Sequence, residues 1–109
     1  MAQHTSLAEG RWNQLSFLEQ MANVASEVER YLNWKAKSNA VYSEKSFERA
    51  LELIDLTVAD FKNSARLREI LRMREALVDF FFGAELYKST DPSWRKYFLP
   101  FVYAARKNY

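Results

Sequence analysis

The chain has 109 residues, 49% hydrophobic, 16% aromatic and 28% charged, the balance of one compact domain with enough apolar side chains to exclude intrinsic disorder. Two glycines and two prolines are too few for the hairpins of a many-stranded sandwich or barrel, which leaves an all-helical domain. Zero cysteines remove disulfides, thiolate nucleophiles and cysteine-based metal sites, and 16 basic against 14 acidic residues give a net charge of only +2, so any case for an anionic partner rests on where the charge lies.

Residues 1–10 are small and polar without periodicity and read as a flexible leader ahead of a single domain at 11–109. The start, MAQHTSLAEGRW, lacks the charged flank and the apolar run of ~7–15 residues of a secretory signal, and no apolar run approaches the ~18 residues of a membrane span. A cytoplasmic protein with no membrane partner is expected.

From Trp12 to Lys37, apolar residues at Leu15, Leu18, Met21/Ala22, Ala25, Val28 and Leu32 recur three to four apart, one stripe of an amphipathic helix over 12–37. Lys37-Ser38-Asn39 ends it, because serine and asparagine side chains compete with helical backbone bonds. Ser43 is the expected N-cap of a second helix over 44–60, with Glu44 where the helix dipole favours a negative charge and Phe47, Ala50/Leu51, Ile54 and Val58 as its stripe. Asp60, Asn63 and Ser64 are capping types that start a third helix over 64–82, carrying Leu67, Ile70/Leu71, Leu77/Val78 and Phe81 and closed by Gly83 as a left-handed terminator. Asp91-Pro92 opens a fourth over 92–107 with Trp94, Tyr97/Phe98, Phe101/Val102 and Ala105, kinked or broken where Pro100 removes a backbone donor. Short connections make consecutive helices antiparallel, so the expected fold is an all-α, up-down four-helix bundle.

The segment from Trp12 to Arg106, through SEVERYLNW (Ser26 to Trp34), YSEKSFERALELIDLT (Tyr42 to Thr57) and REALVDFFFG (Arg74 to Gly83), resembles a class of short bacterial all-helical proteins. That resemblance implies a bacterial origin and assigns no activity. The architecture is also similar to the four-helix-bundle accessory subunits of diversity-generating retroelements, a likeness of fold alone, which implies an oligomer that binds nucleic acid. Asn39 to Leu53 resembles one tetratricopeptide helix pair, but without a second copy it reads as ordinary hairpin patterning.

Chemistry is sparsely represented. The one histidine, His4, lies in the leader, so no histidine serves as a base or ligand within the folded body. Glu44, Glu48 and Asp55 share one face of the second helix within ~40° and could form a carboxylate site, but Lys45 and Arg49 interleave with acids there as on a solvated flank. There are no Glu-x-x-His pairs for a di-iron bundle and no glycine-rich phosphate loop. A non-enzymatic protein with no metal and no cofactor is expected.

Charge is segregated by helix: residues 62–74 carry five basic side chains against one acid, and residues 43–60 carry two against five. Lys62, Arg66, Arg68 and Arg72 are the candidate contacts to nucleic acid or another anion, with Arg68 and Arg72 ~40° apart on one polar face. The competing reading pairs these arginines with Glu69, Glu75 and Asp79 on the same helix, or with the acidic second helix. Arg74 projects into the middle of the third helix's apolar arc, so a buried ion pair with Asp55 or Glu48 is expected, Asp55 being the assigned partner. Trp12, Asn23, Arg30 and Trp34 lie within ~40° of one another opposite the first helix's stripe, and Leu53 and Leu56 fall beyond the Phe47 stripe. Trp12, Arg30, Trp34, Leu53 and Leu56 are therefore the candidate interface, for a homo-oligomer or, in the alternative reading, for a protein partner of an adaptor that binds no nucleic acid.

Overall fold

A computed structural model describes residues 10–107; the leader and His4 lie outside the described residues, apart from Gly10. These residues form four long helices, α1 (Phe17–Ala36), α2 (Ala40–Ala59), α3 (Leu67–Phe82) and α4 (Asp91–Lys107), with a 3-10 segment (Phe61–Arg66) between α2 and α3. Among the described residues there is no strand, and no helix is long and apolar enough to cross a membrane.

The caps show why the ends fall where they do. Trp12 belongs to a short helical turn at residues 10–12, and the chain then breaks before Ser16 starts α1. There the Ser16 hydroxyl accepts from the Glu19 amide and the Glu19 carboxylate accepts from the Ser16 amide, a reciprocal capping box. Ser38 closes α1 with a left-handed φ of 59°, the role a glycine usually fills. Asn39, not Ser43, caps α2 by accepting from the Tyr42 amide at 3.1 Å, and Ser43 is a buried residue inside the helix. Gly83 ends α3 with φ 73°, as its position predicts. Thr90 and Ser93 cap α4 reciprocally, one residue earlier than the expected Asp91 cap. The helix then continues unbroken across Pro100, which lies on the exposed side, where water can take up the carbonyl its ring leaves unbonded.

Contacts fix the directions. Trp34 meets Tyr42 and Tyr31 meets Phe47 at one end of the α1/α2 pair, while Gln20 bonds Asp60 at the other. Phe47 stacks on Phe81 at 3.9 Å between centroids while Asp55 reaches Arg74, so α2 and α3 are antiparallel as well. Glu29 takes Arg95 in a two-point contact at 3.0–3.2 Å, and Lys35 bonds Asp91 at 2.8 Å, which clamps α4 along α1. Helix α1 is the centre of the molecule, lying between α2 and α4, and α3 leans on α2. The core gathers Met21, Val24, Val28, Leu32, Phe47, Ile54, Ile70, Leu77, Trp94 and Phe98. The backbones of α3 and α4 stay apart over most of their length, so the set of four helices is open along that seam.

A second, polar core joins the N-terminal turn, α1, α2 and the 3-10 segment. Gln20, fully buried, donates to the Asp60 carboxylate at 2.7 Å and to the Trp12 carbonyl at 3.1 Å, and its own amide oxygen accepts from Asn63 at 2.8 Å. Asn63 also donates to the Thr57 carbonyl, and the Trp12 indole donates to the Thr57 hydroxyl at 3.1 Å. Lys62 completes the network with bonds to Asp60 and to the Asn13 carbonyl. Burial pushes the Asp60 pKa up, but the hydrogen bonds from Lys62 and Gln20 outweigh it and hold the carboxyl below its ordinary value.

Two expectations change here. Arg74 does pair with Asp55, Nε to Oδ1 at 2.8 Å, but the pair is at the surface, with the two side chains 35% and 58% exposed. The inward arc of α3 is Ile70, Met73, Leu77 and Phe81, so Arg74 sits at its edge and not at its centre. Arg74→Met should therefore move the unfolding midpoint very little, by under ~1 kcal/mol, the worth of an exposed pair; a loss above ~2 kcal/mol in urea unfolding would contradict this placement. Trp12 also turns inward, being 8% exposed, because the break at residues 13–16 takes it off the α1 helical phase.

Candidate functional site

The open seam between α3 and α4 forms a groove of about 640 Å³. From the α3 side it is lined by Ala65, Arg66, Arg68, Glu69, Arg72, Met73 and Ala76; Trp94 and Tyr97 rise from α4, and Tyr87, Ser89 and Ser93 close one end. Sequence explains this composition. Positions 69, 72/73 and 76 are three to four apart and share a face of α3, Ala65 precedes them in the 3-10 segment, and Arg68 flanks that face one turn before Arg72.

The loop after α3 builds the end wall. Asp79, buried near the end of α3, accepts from the amides of Leu86 and Tyr87 at 3.0 and 3.2 Å and folds the loop back along its own helix. Tyr87 then donates its phenol to Glu75 at 3.0 Å. At the other end the Arg66 guanidinium lies over the Phe17 ring at 4.4 Å, and Phe17 meets Phe101 edge to face. On the floor, Trp94 is 5% exposed and packs against Phe98, Phe80 and Tyr97, and its buried indole N–H has no acceptor among the described residues. Tyr97 is half-buried; burial, then the neighbouring Glu69 charge, pushes its phenol up to about 12. It is a neutral hydroxyl throughout the physiological range.

Three of the four residues expected to contact an anion thus come together: Arg66, Arg68 and Arg72 line one groove. Lys62 does not join them, because its ammonium is held by Asp60 and Asn13 in the buried network. The competing partners are partly occupied elsewhere, since Asp79 is taken by loop amides and Glu75 by Tyr87. Among the described residues no carboxylate lies within ion-pair distance of Arg68 or Arg72, and Glu69 is the one acidic side chain lining the groove. Comparison with protein-family models, curated proteins and solved structures finds no match to this chain.

The aromatic interface expected on α1 is not assembled. Trp12 is in the core, Trp34 is half-buried against Tyr42 with Lys37 over its ring, and Arg30 pairs with Glu27. Leu53 is 7% exposed and Leu56 packs on the core, so both are core residues of the folded chain. Apolar surface is uncovered instead on α3 and the loop beyond it, where Leu67, Leu71, Phe82 and Leu86 are exposed, Phe82 at 73% and Leu86 at 81%. Glu44, Glu48 and Asp55 stand exposed on the outer face of α2, and among the described residues no cluster of carboxylates or imidazoles forms a metal site. Tyr87 and Tyr97 were not legible as site residues; the close spacing of Trp94 and Tyr97 marks an aromatic face of α4, but only the separation from α3 makes it a wall.

Proposed function

We propose that this protein is a non-enzymatic binding module, an up-down four-helix bundle opened on one side, which contacts nucleic acid through Arg66, Arg68 and Arg72. The observation that carries the reading is the convergence of three exposed arginines, none of them ion-paired to a carboxylate among the described residues, on one aromatic-walled groove. A guanidinium fork suits phosphate oxygens, and a site already paired to carboxylates would have to break those pairs before it could bind. The test is retention on RNA and DNA at about 50 mM salt with release as salt rises. No retention on either leaves the reading without support.

The same reading makes the protein a homo-oligomer. The exposed Leu67, Leu71, Phe82 and Leu86 form an apolar strip on one side of α3, the kind of surface that a second subunit covers. Light scattering at micromolar concentration is expected to return a mass above that of the 12.9 kDa chain, and a monomer mass would refute it. A partner protein on this strip is the second reading, favoured by its apolar character.

A further inference from the structure

We infer that the α3/α4 groove takes single-stranded nucleic acid, one base entering between Met73 and Tyr97 while flanking phosphates rest on Arg68 and Arg72; this rests on the α3 arginines being a phosphate face. The volume, about 640 Å³, lies in the ~300–1,000 Å³ range of sites that enclose small ligands, large enough for a base and closed to a duplex. A duplex keeps its base faces stacked inside and presents phosphates, sugars and base edges, which would leave the aromatic wall without a π-face to meet. A single strand offers π-faces and phosphates together, and binding grooves for it combine aromatic platforms with a basic track.

The arrangement of the wall and rim supports this occupant. Arg68 and Arg72 stand one helical turn apart, a rise of about 6 Å along α3, comparable to the step between neighbouring phosphates of an extended strand. They form a ridge, because Leu67, Leu71 and Glu75 line a second depression on their outer side, so both guanidiniums can be approached from two directions. Arg66 is anchored over Phe17 and marks the far end of the track. Tyr97 offers a neutral hydroxyl and an aromatic ring, and the buried N–H of the neighbouring Trp94 is a donor without an acceptor among the described residues. Glu69 opposes a phosphate placed beside it, which puts the phosphates on the Arg68/Arg72 ridge and the base inward. An amphipathic peptide helix, the other occupant an apolar groove admits, would have to run past both ends, where the Tyr87 loop and the Arg66–Phe17 contact stand.

The experiment measures anisotropy of short labelled oligouridine, oligothymidine and a duplex of equal length, with the wild-type chain and with Ala76→Trp. Ala76 lines the groove from α3, so an indole there takes up the space of the base while every arginine is kept. The wild type is expected to bind both single strands at least about tenfold tighter than the duplex, and Ala76→Trp to lose that preference while keeping the weak, salt-sensitive duplex affinity. Oligouridine and oligothymidine binding within a few-fold of each other shows that base and phosphate, not the 2′-hydroxyl, are read; a strong preference for the RNA strand overturns this form of the site. Should Ala76→Trp unfold, Tyr97→Leu removes the ring while keeping an apolar side chain against the core, and is expected to cause the same loss. Equal affinity for single strand and duplex, unchanged in either variant, overturns the groove site and leaves the arginine face standing. Loss of all nucleic-acid binding by the wild type overturns both, and saturable binding of an acidic amphipathic peptide in its place assigns the groove to a protein.

Discussion

Replacing Asn63 by leucine is expected to destabilise the fold by roughly 2–3 kcal/mol. Asn63 is 2% exposed, and its amide donates to Gln20 Oε1 at 2.8 Å and to the Thr57 carbonyl at 2.9 Å. Without it, the Gln20 oxygen is a buried acceptor with no donor, whereas the Thr57 carbonyl still receives the Asp60 amide. Urea unfolding should show a lower midpoint at an unchanged slope, and a loss below ~1 kcal/mol would mean that water reaches Gln20. The Gln20→Leu/Asn63→Leu pair should cost less than the sum of the two singles, since removing both partners strands fewer groups. The network also has a pH signature. The Asp60 pKa is lowered in the folded chain relative to its ordinary 3.8, so the charged carboxylate stabilises the fold above that value and this contribution is lost as pH falls through the folded pKa. Asp60→Asn should be clearly less stable than the wild type at pH 7 and approach it as the pH is brought towards 3. A constant gap between the two would show that the hydrogen bonds, and not the charge, carry the effect.

The second large effect is functional. Arg68→Ala/Arg72→Ala should flatten the dependence of log affinity on log salt by up to two phosphate contacts, each worth a slope of about −0.7 to −0.9, and lower affinity for RNA or DNA by at least tenfold at low salt. The fold should hold, because both side chains are exposed and neither is ion-paired among the described residues. Micromolar binding by the wild type is the expectation at physiological salt, since three arginines neutralise few phosphates and Glu69 repels them nearby. Glu69→Gln should therefore act in the opposite direction and tighten binding a few-fold. A double variant with an unchanged salt slope would remove the arginine face from the function and leave the exposed strip of Leu67, Leu71, Phe82 and Leu86 as the working surface.

Much of the architecture was legible from residue spacing. Apolar side chains three to four apart placed all four helices, Gly83 marked the end of α3, and the contrast between an acidic second helix and a basic stretch after it singled out Arg66, Arg68 and Arg72. Local signals failed where two were equally good. Asn39 and Ser43 are both capping types four residues apart, and the structure uses Asn39, since Ser43 is needed in the core side of α2. Spacing alone puts Arg74 at the wrong depth, because Leu67 and Leu71 belong to the apolar arc yet are exposed, while the buried line of α3 runs through Ile70, Met73 and Leu77. A helix with apolar residues on more than half its circumference leaves its inward direction open, and only the neighbours choose it.

The sequence by itself determined that this is a helical domain, where its helices lie, and on which helix positive charge accumulates, because periodicity, capping and charge are properties of a few neighbouring residues. Tertiary structure alone decided the rest. A glutamine closes one buried network with an aspartate and an asparagine about 40 residues further on, and no local pattern announces that these polar side chains will satisfy each other across the fold. The tryptophan at position 12 is drawn into that network by a break in the chain, which removes it from the face it would share with Trp34 on a continuous helix. The groove exists because α4 packs along α1 through Trp94 and Phe98, with Glu29–Arg95 and Lys35–Asp91 at the edge of that contact, while α3 packs on α2, so the two outer helices lie apart between partners distant in sequence. The space between two helices is set by what each of them packs against elsewhere, which no single stretch of the chain encodes.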